Sequence, residues 1–257
     1  CIQRAVDAQE LPGATVLVLR HGKEVAYAEG GLMDRENNRP MARDTICRLY
    51  SQTKPITAAA IMLLMERGVI DLFDPVEKFL PGFAHPRVAE GGKLIPAIRS
   101  VTIMDLLGMT AGTCYPDDMD VAGLAAKKLF EENDERIRQG KGMTTVELCN
   151  RIGELPLAFQ PGSHFRYGTC ADVLGGIVEV ASGRSFSQFL REEFFEPLGM
   201  ESVVWQSDPQ GVTDGGNGIL MTARDAARFG QLCLNGGEWN GQQVIPADWL
   251  EDSVTPK

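Results

Sequence analysis

Leu49-Tyr50-Ser51-Gln52-Thr53-Lys54-Pro55-Ile56-Thr57 is the stretch whose reading decides the fold of this chain. Beyond Lys54, Ile56, Ala59, Ala60, Leu63 and Leu64 recur at helical spacing. Met62 and Met65 widen the stripe, and Gly68 stops it. Proline fits a helix only in the first turn, where its missing N–H is not needed, so Pro55 places Ser51 at or just before the helix start. Lys54 then lies one turn along, on the same face as Ser51. The helix is mostly apolar and is expected to be buried. Its free N–H groups and dipole favour developing negative charge. A desolvated lysine beside a hydroxyl can accept the serine proton, which would make Ser51 a nucleophile. On these residues alone, a helix cap at Ser51 and a surface lysine at Lys54 also explain the spacing, because Ser-x-x-Lys is common by chance.

The rest of the composition narrows the class. A chain of 257 residues is long enough for one large core or two joined domains. Its net charge of -10, with no basic run, makes it a poor binder of nucleic acid and of anionic membranes. No apolar stretch is long enough to span a bilayer, and no signal peptide is visible. The six cysteines at 1, 47, 114, 149, 170 and 233 form no Cys-x-x-Cys pair. They read as reduced, mostly buried thiols, which favours the cytoplasm and leaves a periplasmic or extracellular place open if a leader was removed. Cys1 stands at the edge of a helix expected from Ile2 to Ala8. It reads as a processed start or a lipid-anchor residue of a protein that is longer at its ends.

Along the chain, Ala14 to Leu19 and Val25 to Ala28 read as a hairpin turned at His21-Gly22-Lys23, with His21 in solvent. From Gly68 to about Gly162 the texture becomes helical with irregular links. Val101 to Leu107 is a helix capped by Thr102 or Ser100, Met119 to Gln139 is polar and amphipathic, and Thr144 starts a helix to about Gly153. The acidic run Asp117-Asp118-Met119-Asp120 reads as a solvated loop. Further helices are expected from Ala171 to Ser182, Phe186 to Glu193 and Ala223 to Asn235, and Pro246 opens a last one. Trp239-Asn240-Gly241 is a hairpin turn. There is no Gly-x-Ser-x-Gly elbow and no His-Glu-x-x-His, and the three histidines are too scattered for zinc. His164, beside Gly162, reads as a surface group.

Ser-x-Thr-Lys-Pro-Ile-Thr before an apolar helix resembles the serine β-lactamase, penicillin-binding protein and esterase superfamily. Phe165-Arg166-Tyr167-Gly168-Thr169-Cys170-Ala171-Asp172-Val173-Leu174-Gly175 is similar to the family's tyrosine element, in particular to its carboxylesterase branch. Val101 to Gly112 is similar to the family's lid helix, with Met109 in the usual histidine place. Glu196-Pro197-Leu198-Gly199-Met200 is similar to its Pro-Leu-Gly-Met signature. The resemblance implies an α+β fold with an antiparallel sheet flanked by helices. The sheet lobe would span 1–67 and 166–257, the helical insertion 68–165, and the cleft would lie where the Ser51 helix meets both. It implies Ser51 as nucleophile, Lys54 and Tyr167 as its proton-handling partners, and substrate contacts at Tyr50, Gly168 and Thr169. No cofactor and no metal are implied, and the partner would be a small ester, amide or peptide.

Two departures matter. Thr169 stands where the amide-binding members carry Asn, which favours an esterase over a β-lactamase or D-alanyl-D-alanine carboxypeptidase. A non-catalytic binding protein on the same fold is the reading from another class. The third motif of the family, on a C-terminal strand, is not found before Lys257. The sheet is therefore expected to be incomplete, to leave an open strand edge near Ser51, and to give little or no activity.

Overall fold

The computed structural model describes residues 2–255; Cys1, and the anchor reading attached to it, lie outside them. The chain opens with α1 (Ile2–Asp7), then strands β1 (Gly13–Arg20), β2 (Lys23–Asp34), β3 (Arg39–Pro40) and β4 (Cys47–Arg48). A 3-10 turn at Tyr50–Gln52 runs into α2 (Thr53–Glu66). The hairpin β5 (Arg87–Glu90) and β6 (Lys93–Pro96) precedes α3 (Ile103–Leu107), α4 (Val121–Arg138), α5 (Thr145–Gly153), α6 (Cys170–Ser182) and α7 (Phe186–Leu190). Strands β7 (Val204–Trp205) and β8 (Ile219–Met221) lead to α8 (Ala223–Leu234), the hairpin β9 (Glu238–Trp239) and β10 (Gln242–Gln243), and α9 (Ala247–Val254).

This α+β chain forms two compact units, one of residues 1–49, 192–204 and 219–257, the other of 50–191 and 205–218. The lobes expected from the sequence follow chain texture and these units follow contacts, so the two divisions differ in where they place α2 and α6.

In the first unit β1 and β2 pair antiparallel, Gly13 opposite Gly31 and Arg20 opposite Lys23. His21 and Gly22 both turn with positive φ, as a tight hairpin demands, and His21 is exposed. Helix α8 packs on β1, whose other edge pairs with no strand among the described residues. The sequence reading places only helices and one hairpin after Gly215. The structure adds β8, antiparallel to β4 with Met221 opposite Cys47. Three residues between Gly218 and the helix cap Thr222 are too few to show strand alternation. Asn240 and Gly241 sit at φ 51 and 79, so Trp239-Asn240-Gly241 is a hairpin turn.

The second unit is built around α2. Its Ile56, Ala59, Ala60, Ile61, Leu63 and Leu64 are buried, and α6 packs against it with Val173, Leu174, Ile177 and Val178. Helices α3, α5 and α7 cover the rest of α6. The isoleucine, leucine and valine side chains among these each contribute about 1.5–3 kcal/mol when fully buried. Helix starts follow the expected caps: Thr102 and Asp105 form a reciprocal capping box at α3, and Thr144 accepts from Glu147 N–H at α5. The β5–β6 hairpin, turned at Gly91-Gly92, lies in the stretch expected to be helical with irregular links. Among the described residues, Cys47, Cys114, Cys149, Cys170 and Cys233 are free thiols, three of them buried. No helix among them is long and apolar enough to cross a membrane.

Candidate active site

Ser51 lies in the 3-10 turn that feeds α2, exposed at the helix mouth. Tyr50 before it adopts φ 48, a left-handed conformation that costs a non-glycine residue about 1–2 kcal/mol, and its side chain is exposed. Lys54, one turn along α2, donates from Nζ to Ser51 Oγ at 3.2 Å and to the Gly216 carbonyl at 2.7 Å. Tyr167 donates its hydroxyl to Ser51 Oγ at 2.6 Å. The lysine ammonium also lies 4.8 Å from the centre of the Tyr167 ring and 5.6 Å from that of Tyr115. Tyr115 packs against Tyr167 at 5.8 Å between centroids, so the trio has an aromatic wall.

Burial pushes the Tyr167 hydroxyl up, but its bonds to Lys54 and Ser51 outweigh this and hold it below the usual tyrosine range. Tyr115 goes the other way: desolvation, then the nearby charge of Asp172, push its hydroxyl up. The two neighbouring tyrosines are thus shifted in opposite directions.

The turn that receives Lys54 is held from two sides. Thr57, on the next turn of α2, donates to the Gly215 carbonyl at 2.7 Å. Asp172, in the first turn of α6, accepts from the Gly216 N–H at 2.8 Å. A Cβ on Gly216 would meet the Asp172 carboxylate, so only glycine lets backbone and carboxylate approach this closely.

The Tyr167 loop is also pinned. Arg166 N–H donates to the Met109 carbonyl at 3.0 Å, and Gly162 N–H to that of Thr110 at 2.8 Å, both just beyond α3. The Arg166 guanidinium donates to Asp117 at 2.8 Å and to Asp120. The acidic run read as a solvated loop is therefore corrected: two of its carboxylates clamp the residue beside Tyr167. The Met119 N–H and then Arg166 hold Asp117 below the usual carboxylate range. Burial raises Asp120, but the Gly123 N–H and Arg166 outweigh it.

The structure brings Ser51, Lys54 and Tyr167 together and leaves the three candidate substrate contacts apart in character. Tyr50 is open to solvent. Gly168 is buried against the Thr113 carbonyl, which a Cβ would overlap. Thr169 is wholly buried, and its hydroxyl has no hydrogen-bond partner among the described residues. His164 is exposed, bonded to Ser163 Oγ and set against the Phe159 ring. Tyr115, Thr57, Asp172 and Gly216 escape the sequence reading. Asp172 is visible only as a letter of the tyrosine element and Thr57 only as a letter of the Ser51 element, and the other two carry no local signal.

Chains of this architecture are known. EstCE1, a hydrolase with promiscuous acyltransferase activity, superposes with a TM-score of 0.77 at 24% identity over 97% of this chain and 73% of its own. Simvastatin synthase (LovD) from Aspergillus terreus superposes with a TM-score of 0.74 at 21% identity, over 97% of this chain and 68% of its own. These likenesses establish the fold, that of the serine β-lactamases and penicillin-binding proteins. The chain belongs to the beta-lactamase family, which it matches over residues 1–256. Esterase EstB of Burkholderia gladioli is 37% identical over 197 residues, covering 77% of this chain and 48% of EstB. The chain thus spans about half the length of that relative.

Proposed function

We propose that this chain is a serine carboxylesterase that works through an acyl-enzyme on Ser51. The observation that carries the reading is the double hydrogen bond to one exposed oxygen, with Lys54 at 3.2 Å and Tyr167 at 2.6 Å from Ser51 Oγ. Tyr167 first gives up its hydroxyl proton to solvent under the pull of the Lys54 charge; Ser51 Oγ then attacks the ester carbonyl as its own proton passes to the Tyr167 phenolate oxygen, the nearer partner. Tyr167 returns that proton to the leaving alcohol, and water then releases the acyl group by the same route. The Ser51 N–H at the helix mouth supplies one oxyanion donor. No cofactor enters this sequence of steps, and the partner is a small ester. One further point supports ester over amide chemistry: the relationship to the esterase EstB.

Intact mass spectrometry after incubation with a fluorophosphonate, a penicillin and a p-nitrophenyl ester tests the reading. A phosphonyl adduct on Ser51, turnover of the ester and no lasting penicilloyl adduct are expected. Ser51→Ala should abolish both, and Lys54→Ala and Tyr167→Phe should each slow the reaction at least about a hundredfold. A stable penicilloyl adduct, or a β-lactam consumed faster than the ester, replaces the esterase by a peptidase or β-lactamase. No adduct at all leaves a binding protein.

A further inference from the structure

Behind Lys54 lies a second pair of groups that the ester chemistry above does not use. Asp172, buried on α6, and Asp214, half-buried at the start of the turn that receives Lys54, are joined by a side-chain hydrogen bond. Both grip that turn: Asp172 accepts from Gly216 N–H at 2.8 Å, Asp214 from Asn217 N–H at 2.8 Å. The Gly216 carbonyl is in turn the Lys54 acceptor, at 2.7 Å. On their far side is a cavity of about 430 Å³ whose wall includes Asn133, Cys149, Asp172, Thr213, Asp214 and Asn217.

The geometry points to Asp172 as a positioning residue for Lys54: with Asp214 it forms a buried carboxyl pair that carries one proton, clamps the turn holding the lysine, and sets how much negative charge the lysine faces. Two carboxylates this close and this dry do not both ionise easily. Burial, and then the charge of Asp214, push Asp172 up to about 7, and burial likewise raises Asp214. Other groups face the pair. From α2 comes Lys54, whose charge favours ionisation of both. Tyr115 and Tyr167 approach from their loops, Cys149 from α5, and Cys170 from α6 itself. Asp134 and Asp208 stand on the cavity wall. Desolvation pushes up Tyr115 and Cys149, and Cys170 to about 11, so none of these three loses a proton near neutrality. Between pH 6 and 8 the pair goes from one negative charge to two, which tightens its hold on a charged Lys54.

The labelling arm of the test rests on Ser51 being the nucleophile; an infrared arm does not. The pH-difference infrared spectrum of the wild-type chain should show a protonated-carboxyl band that is lost between pH 6 and 8 and is absent from Asp172→Asn. Asparagine keeps an acceptor for Gly216 N–H and donates to Asp214, so the fold and the turn should survive in that variant. The rate of Ser51 phosphonylation should bend near pH 7 in the wild type and run without that bend in Asp172→Asn. Asp172→Ala, which frees the turn, should label at least about tenfold more slowly than Asp172→Asn at every pH. A carboxyl band that persists in Asp172→Asn, or superimposable labelling profiles for wild type and Asp172→Asn, overturns the inference. If the wild type never labels, the esterase reading falls, and the infrared titration alone decides whether the pair holds its proton.

Discussion

Removing the carboxylate of Asp105 should loosen the element on which the Tyr167 loop hangs. Asp105 is 4% exposed and accepts from Arg99 at 2.6 and 2.8 Å, from Thr102 N–H at 2.9 Å and from Thr102 Oγ1 at 2.9 Å. In Asp105→Ala the reciprocal cap of α3 is lost, worth about 1 kcal/mol. The bidentate pair goes with it, worth about another 1 kcal/mol because the Arg99 side chain is 42% exposed and regains water. The Thr102 donors are left less well satisfied, at roughly 1 kcal/mol more. The total of about 3 kcal/mol should lower Tm by roughly 6–12 °C in a chain of this size. The pH dependence has a definite sign. Burial raises Asp105, but bonding to Arg99 and Thr102 outweighs it and holds the carboxyl below its usual value. Its contribution is therefore fully present above about pH 4 and is lost as pH falls through the depressed value. Thermal melts of wild type and variant at pH 7 and in steps below pH 4 read this directly. A gap under about 2 °C at pH 7, or one that does not narrow in acid, would refute the reasoning.

Two further substitutions probe the ground around Tyr167. Gly168→Ala would drive a methyl into the Thr113 carbonyl and displace the tyrosine; Ser51 phosphonylation should fall by about a hundredfold, the usual effect of a reacting group moved by about 1 Å. An unchanged labelling rate would mean that the loop has room to yield. Thr169→Val replaces a buried hydroxyl that has no partner among the described residues with a methyl of the same shape, and should raise Tm by roughly 2–4 °C, since an unpaired buried hydroxyl costs about 1 kcal/mol or more. A lowered Tm would show that the hydroxyl is used.

The parts of this fold that were legible in the sequence are those with a local cause. Pro55 and the apolar stripe of α2 set Ser51 and Lys54 one turn apart, and the lysine does reach the serine hydroxyl. Thr102, Thr144 and Thr222 announce helix starts because a cap acts over three residues. Tyr167 was found through the likeness of its loop to a known element, and its bond to Ser51 spans 116 residues of chain. What was not legible depends on approach across the chain. Nothing near Gly216 says that its carbonyl meets Lys54, and nothing near Asp117 says that it meets Arg166. Strand β8 is hidden by its brevity, whereas Val88-Ala89-Glu90-Gly91-Gly92-Lys93-Leu94-Ile95 carries a readable hairpin signature in its Gly-Gly turn and was passed over.

The lysine's hold on Gly216 closes a loop of 162 residues. Contacts of such span come late in folding, because the entropy of closing the loop must be met before the contact repays it. On the proposed mechanism Ser51 becomes nucleophilic only when Lys54 and Tyr167 have both arrived, and is therefore silent in partly folded chains. Reactivity at Ser51 then acts as a clock for folding: a covalent probe added during refolding counts molecules that have closed these long loops, whatever helix content they gained earlier.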